Sequence, residues 1–135
     1  MKYVLDTNIL SLAMAGKASV IERMFSLART DVLIPQPVIA EIEYGIARLR
    51  DPRRRQQLRK LLDGFLENSS GVRWTHDVSH AFGVAKAGLE SRGQRIEDFD
   101  VAIAAHALAL DAVLVSDNTA HMERIPGLRL ENWRA

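Results

Sequence analysis

The sequence contains no cysteine among its 135 residues. Disulfide bridges and thiolate metal sites are therefore excluded, and the cytoplasm is the compartment that we expect. Long apolar segments are also missing. No stretch approaches the roughly 20 residues that a membrane-spanning helix requires, and the apolar run at the N-terminus is too short for a signal peptide. We therefore expect no membrane association.

Aromatic residues are scarce, at 6% of the chain. Tyr44, Trp74 and Trp133 are available to stack on nucleic-acid bases, but each could equally belong to a core or an interface. The composition is 47% hydrophobic and 26% charged, which is typical of a globular protein rather than a disordered one. Without a repeat or a linker, the pattern predicts one domain over residues 1–135 with one core.

Charge of one sign is in excess only locally. The formal net charge is +1, but residues 48–60 hold seven basic side chains and one acid, a local sum of +6 that leaves −5 for the rest. Part of this segment lies on a predicted helix that begins with an Asp51 cap and Pro52. Its basic residues include Arg53, Arg54, Arg55, Arg59 and Lys60. They form either a solvated face over the core or a subunit interface, or a surface that follows RNA phosphates.

Short apolar runs alternate with segments of helical period. Runs occur at residues 3–5, 32–34 and 112–115, with weaker ones at 72–74 and 128–130. Continuous runs of this length are typical of strands that are buried on both faces of a parallel sheet. The pattern predicts an α/β fold, with a central parallel sheet of four or five strands flanked by helices. Residues 101–110 are apolar on nearly all sides, so we expect a central, buried helix there.

Two of the apolar runs end in an aspartate. Asp6 follows the first run and Asp117 follows the run at 112–115. Ligands of parallel α/β sheets bind beyond the carboxyl ends of the strands, so these acids are candidates for a shared site. Either one alone is equally well explained as a turn residue or a helix cap, and Asp6 could simply cap the helix that follows it.

Further acids lie on predicted helices. Glu41 and Glu43 are two residues apart and point about 200° apart on a helix, so at most one of them reaches the sheet edge, and periodicity does not choose between them. Asp98 and Asp100 open the apolar helix, where Asp98 is a plausible N-cap. Carboxylates that converge repel one another unless they bind a cation. All-oxygen ligands select Mg²⁺ or Mn²⁺, which suit hydrolysis of a phosphodiester.

The histidines offer no stronger alternative. His76 and His80 have the spacing of a helical metal pair, but no third ligand is evident. We expect His106 to be a hydrogen-bonded core residue and His121 to lie in a loop or on the surface.

Four segments taken together resemble a known family. They are VLDTN at residues 4–8, AEIEYG at 40–45, DVAIAAHAL at 100–108 and VSDN at 115–118, followed by RIPGLRLENW. In this order and spacing they resemble a PIN domain and, more narrowly, a VapC-type toxin of a type II toxin–antitoxin pair. The resemblance runs nearly from end to end.

The resemblance implies specific roles for residues. The catalytic acids would be Asp6, Glu41, Asp100 and Asp117, of which Asp6, Asp100 and Asp117 would bind metal; Asn8, Ser116 and Asp98 would support them. It also implies Mg²⁺- or Mn²⁺-dependent cleavage of structured RNA, such as tRNA or rRNA loops, that leaves a 5′-phosphate and a 3′-hydroxyl. A homodimer and a cognate VapB-type antitoxin are implied as well.

Two other kinds of protein share part of this pattern. A receiver-like phosphoacceptor module would also use strand-end acids with Mg²⁺, but it needs a lysine at a late strand end, and no lysine follows Lys86. A catalytically inactive RNA-binding or interaction module would tolerate loss of the acids, whereas all four are present.

Overall fold

The computed structural model describes residues 1–135 and contains five strands and seven α-helices. The strands are β1 (Tyr3–Leu5), β2 (Val32–Pro35), β3 (Ser70–Val72), β4 (Val113–Val115) and β5 (Leu130–Glu131). The helices are α1 (Thr7–Met14), α2 (Ala18–Phe25), α3 (Gln36–Ala47), α4 (Pro52–Glu67), α5 (His76–Ser91), α6 (Asp98–Ala109) and α7 (Thr119–Met122). A 3₁₀ turn at Arg29–Asp31 leads into β2. No helix combines the length and the apolar character that crossing a bilayer requires.

The five strands form one parallel sheet in the order β3-β2-β1-β4-β5. In the centre, Tyr3 of β1 is in register with Val32 of β2 on one side and Val113 of β4 on the other. Because every neighbouring pair is parallel, the carboxyl ends of all strands meet at one edge. This confirms the predicted α/β fold and brings the segments after β1 and β4 side by side.

The central strands are buried on both faces, as their continuous apolar sequences predicted. Every residue of β1, β2 and β4 is buried. Helix α6 is buried from Val101 to Ala107, which confirms the central helix expected from its all-round apolar sequence. Because α6 packs between the sheet and α5, its first turn is held firmly at the carboxyl edge of the sheet.

His106 is the core histidine that the sequence predicted. It is fully buried, and its Nδ1 lies 2.8 Å from the carbonyl oxygen of Ala102. Burial lowers the pKa of this imidazole, although the hydrogen bond to Ala102 acts in the opposite direction. A neutral imidazole that donates its Nδ1–H to the carbonyl of Ala102 agrees with both the burial and the hydrogen bond.

Some predicted boundaries were wrong. Strand β3 lies at Ser70–Val72 rather than at 72–74, because Trp74 leaves the sheet to donate its Nε1–H to Ser79 and to pack against Phe82. Strand β5 lies at Leu130–Glu131 rather than at 128–130. The start of α4 was predicted correctly: Asp51 accepts a hydrogen bond from the backbone N–H of Arg53, and Pro52 is the first helical residue.

Candidate active site

Asp6 lies at the point where β1 becomes α1. Its backbone N–H donates to the carbonyl of Val115 in β4, which extends the pairing of the two strands by one residue. Its side chain is only 2% exposed. One carboxylate oxygen accepts from the Thr7 N–H at 2.8 Å, and the other accepts from the Ser116 hydroxyl at 2.7 Å and from the Asn8 amide at 3.2 Å. Asp6 is therefore both the N-cap of α1 and a member of the acid cluster.

Glu41, rather than Glu43, faces the carboxyl edge of the sheet. The hydroxyl of Thr7 donates to its Oε1 at 2.6 Å, which ties α3 to the start of α1. Glu43 lies on the other side of α3, where Arg59 of α4 donates to its Oε2 at 2.7 Å. The structure thus makes the choice that helical periodicity alone left open.

Asp100 completes a group of three acids. It lies in the first turn of α6 and is half-buried. Its pKa is raised to about 6, first by burial and then by the negative charges of Asp6 and Glu41. Glu97 acts in the same direction, whereas His121 lowers this pKa. We name Asp6, Glu41 and Asp100 the acid cluster, because the first two lie close enough to Asp100 for their charges to raise its pKa.

Burial also raises the pKa of Asp6, in opposition to the hydrogen bonds from Ser116, Thr7 and Asn8 that favour its ionised form. The hydrogen bonds therefore favour the ionised carboxylate, whereas burial favours the protonated form. A bound cation is the group that would resolve this conflict.

Asp117 follows Ser116 at the end of β4, but its carboxylate is directed to the C-terminal segment. Its oxygens accept from the Asn132 amide at 3.2 Å and from the Arg134 guanidinium at 2.7 Å. Its backbone N–H donates to Asn8 Oδ1 at 2.9 Å. The backbone of Asp117 therefore helps to position Asn8, while its charge is paired with Arg134, and its assignment as a metal ligand stays a prediction.

Asp98 does not cap α6 as predicted. The cap position is Glu97, and Asp98 is the first residue within the helix. Its carboxylate pairs with Lys86 of α5 at 3.1 Å. Helix α5 packs tightly against α6, and this packing brings the ammonium group of Lys86 within reach of Asp98. A supporting role for Asp98 in the site stays a prediction.

Hydrogen bonds connect the buried acid to the surface. Asn8 and Ser116 both donate to Asp6, and their supporting role in the site stays a prediction. Ser116 in turn accepts from the backbone N–H of Asn118 at 2.9 Å, and the Asn118 amide donates to His121 Nδ1 at 3.0 Å. Sequence reasoning missed Thr7, Asn118 and His121, although Thr7 and Asn118 lie inside the motifs VLDTN and VSDN.

The basic residues of α4 lie outside the acid cluster. Arg53, Arg54, Arg55, Arg59 and Lys60 are all exposed. Arg59 is paired with Glu43. Arg54 borders a groove whose other end is formed by Thr7 and Glu41, so the basic surface of α4 adjoins the acid cluster.

The acid cluster suits a hard divalent cation. Its donors are carboxylate and hydroxyl oxygens, which Mg²⁺ and Mn²⁺ prefer. No three acidic or histidine side chains surround one point closely enough to ligate an ion by themselves. An ion at this site would therefore be held by one or two carboxylates and by water, as Mg²⁺ commonly is. The donor set and the raised pKa values therefore fit this kind of ion.

The sequence model of the PIN domain matches residues 3–128. The chain belongs to the PIN-domain family. Among curated PIN-domain relatives, ribonuclease VapC2 of Rickettsia felis is 33% identical over 98% of both chains. The tRNA(fMet)-specific endonuclease VapC of Shigella flexneri is 28% identical, again over 98% of each chain. These matches confirm the resemblance to VapC proteins.

Solved PIN-domain structures agree in shape. The chain matches VapBC2 from Rickettsia felis, bound to a DNA fragment from their promoter, with a TM-score of 0.90 at 33% identity over 98% of this chain and 99% of that one. It matches DNA-bound VapBC from Salmonella typhimurium with a TM-score of 0.88 at 28% identity, over 98% of each chain. The PIN fold is therefore complete in this protein, from β1 to β5.

Proposed function

We propose that this chain is a Mg²⁺- or Mn²⁺-dependent endoribonuclease toxin that hydrolyses phosphodiester bonds in structured RNA. The observation that carries the proposal is the grouping of Asp6, Glu41 and Asp100 at the carboxyl edge of the sheet. The similar proteins named as ribonucleases support the activity. The Shigella relative, named for its action on tRNA(fMet), favours tRNA loops as substrates, with rRNA loops as the other candidates.

The acids of the site divide between two tasks. Asp6 and Asp100 would hold the ion, and Asp117 would join them once it leaves Arg134. A bound divalent ion would neutralise these charges and polarise a phosphoryl oxygen of the RNA. Asn8 and Ser116 hold Asp6 in one orientation, so it needs no rearrangement to bind a cation.

Glu41 would act on the attacking water. The Thr7 hydroxyl occupies its Oε1 and leaves Oε2 to accept a proton from the water that attacks phosphorus. The bond from phosphorus to the 3′-oxygen breaks, and that oxygen takes up a proton. The products are a 5′-phosphate and a 3′-hydroxyl.

A cognate VapB-type antitoxin would neutralise the enzyme, and the similarity to VapBC complexes supports this partner. A groove of about 330 Å³ runs from Thr7 and Glu41 between α1, α3 and α4, and half of its lining residues are hydrophobic. Such a groove suits an amphipathic segment. A basic side chain at the end of that segment would reach the acid cluster and replace the cation. A homodimer stays a prediction.

Cleavage of purified total RNA tests the proposed activity. We expect cleavage with Mg²⁺ or Mn²⁺ and none in EDTA, because the acids alone repel both phosphate and one another. Ligation-based sequencing of the ends should find 5′-phosphates and 3′-hydroxyls at a few positions in RNA loops. Intact RNA with both ions, at protein concentrations that bind RNA, would favour the inactive RNA-binding module instead.

The exposed surface of α4 is proposed to contact RNA phosphates. The triple variant Arg53→Ala/Arg54→Ala/Arg55→Ala should weaken RNA binding and reduce the salt slope of log K by roughly two, at about 0.7 for each single-strand phosphate lost. Arg59 is left unchanged because Glu43 already pairs with it. A salt slope equal to that of the unaltered protein would assign these residues to solubility or assembly.

A further inference from the structure

A polar cavity of about 460 Å³ lies beside the acid cluster, between the start of α6 and α7. Asp100 forms part of its wall, so the cavity opens directly onto the proposed reaction centre. Arg95, Arg124, His121 and Asn118 also line it, and Ile96 is the only hydrophobic residue to do so. This lining suits a charged, hydrated ligand and not an apolar peptide segment.

Two cations in this cavity have no partner in the protein. The side chains of Arg95 and Arg124 take part in none of the ion pairs of the structure. Arg124 is engaged through its backbone: its carbonyl accepts from Arg92 at 3.0 Å, and its N–H donates to the carbonyl of His121 at 3.2 Å. Unpaired guanidinium groups next to a reaction centre are available for bidentate hydrogen bonds to phosphate.

The acids of the cavity do not cancel these charges once a cation is bound. Asp98 is already paired with Lys86. Asp100 is a proposed ligand of the divalent ion, which would more than offset its charge. Glu97 is then the only unpaired acid facing two arginines, so the loaded site has an excess of positive charge on this side.

His121 adds a fixed hydrogen-bond donor. Its Nδ1 accepts from the Asn118 amide, so in the neutral ring Nε2 carries the hydrogen. Asn118 is itself held by Ser116, which donates to Asp6. A chain of hydrogen bonds through Asn118 and Ser116 therefore connects the Nε2–H of His121 to the buried Asp6 and positions both side chains.

We propose that this cavity is a subsite for an RNA phosphate next to the scissile one, bound by Arg95, Arg124 and the Nε2–H of His121. The inference rests on the proposed function and adds to it a direction for the substrate. RNA would cross the carboxyl edge of the sheet from α4, past Glu41 and Asp100, towards α7. The subsite would position the strand without reading its sequence, as phosphate contacts do.

Anisotropy of a short fluorescein-labelled single-stranded RNA with Mg²⁺, in a Glu41→Gln background that removes the proposed base for the attacking water, tests the subsite without cleavage. The double variant Arg95→Gln/Arg124→Gln should bind more weakly and show a salt slope lower by roughly one. His121→Ala should also weaken binding, because a hydrogen-bond donor to the phosphate is lost. The control is Lys2→Gln/Lys17→Gln, which removes the same charge at exposed positions before β1 and after α1, at the opposite edge of the sheet.

An unchanged slope in the arginine variant, or an equal fall in the lysine control, would overturn the subsite. Thermal unfolding of each variant checks that it is folded. The proposed function fails by a different result, namely no cleavage by the unaltered protein with any divalent ion. The two failures are therefore distinguishable.

Discussion

Replacing Asp100 by asparagine is expected to lower RNA cleavage by roughly a hundredfold to a thousandfold, the loss typical of removing one group that stabilises developing charge. The amide keeps the size of the side chain but removes the negative charge that would attract the divalent ion. Initial rates on a tRNA pool, measured with Mn²⁺ at saturating protein, give the comparison. Rates within a fewfold of the unaltered protein would contradict the assignment of Asp100.

The same substitution should stabilise the fold. The pKa of Asp100 is raised to about 6 in the folded protein from its usual value of 3.8, so the folded state holds this proton more tightly. The free energy of unfolding therefore falls as pH rises from about 4 to about 6. Without divalent ions, Asp100→Asn should be the more stable protein above pH 6, and the difference should vanish towards pH 4.

Two comparisons sharpen this result. Asp31→Asn removes an equal charge just before β2, at the opposite edge of the sheet, and should leave cleavage unchanged. Asp6→Asn should abolish cleavage as well, but it should also cost stability. Both oxygens of Asp6 accept hydrogen bonds, so the new amide group would face a donor. A loss of activity with a gain of stability is therefore specific to Asp100.

The fold followed from the sequence because its strands are buried on both faces. Runs such as 3–5 and 112–115 have no polar face to satisfy, and a parallel sheet is the structure that buries them. The prediction failed at β3, where burial is partial and an aromatic residue was mistaken for part of the strand. Trp74 pairs instead with Ser79 and Phe82, contacts that no local pattern records.

The site was predictable only where local geometry determines it. Asp6 follows from its place at the end of β1. Glu41 could not be distinguished from Glu43 by helical period, because the deciding contact is a hydrogen bond from Thr7, 34 residues away. The pairing of Asp117 with Arg134 depends on where the C-terminal segment returns to the sheet. Only the family resemblance could supply Glu41 before the structure was known.

Divalent ions should raise the stability of the unaltered protein by an amount set by binding to the folded state. At about a hundred times the dissociation constant, the gain is about 2.7 kcal/mol, which shifts the thermal midpoint by several degrees. Thermal unfolding with increasing Mn²⁺, at fixed ionic strength, measures it. The shift should be absent or much smaller in Asp100→Asn and retained in Asp31→Asn.

The proposed site requires the negative charges of Asp6 and Glu41 to lie close enough to Asp100 to keep its pKa raised until a cation binds. NMR of the aspartate carboxyl carbons, followed over a pH range of roughly 3 to 8, measures this directly. Asp100 should titrate near pH 6, and Mg²⁺ should move its midpoint to lower pH. A midpoint near the usual aspartate pKa of 3.8, insensitive to Mg²⁺, would contradict the proposed site.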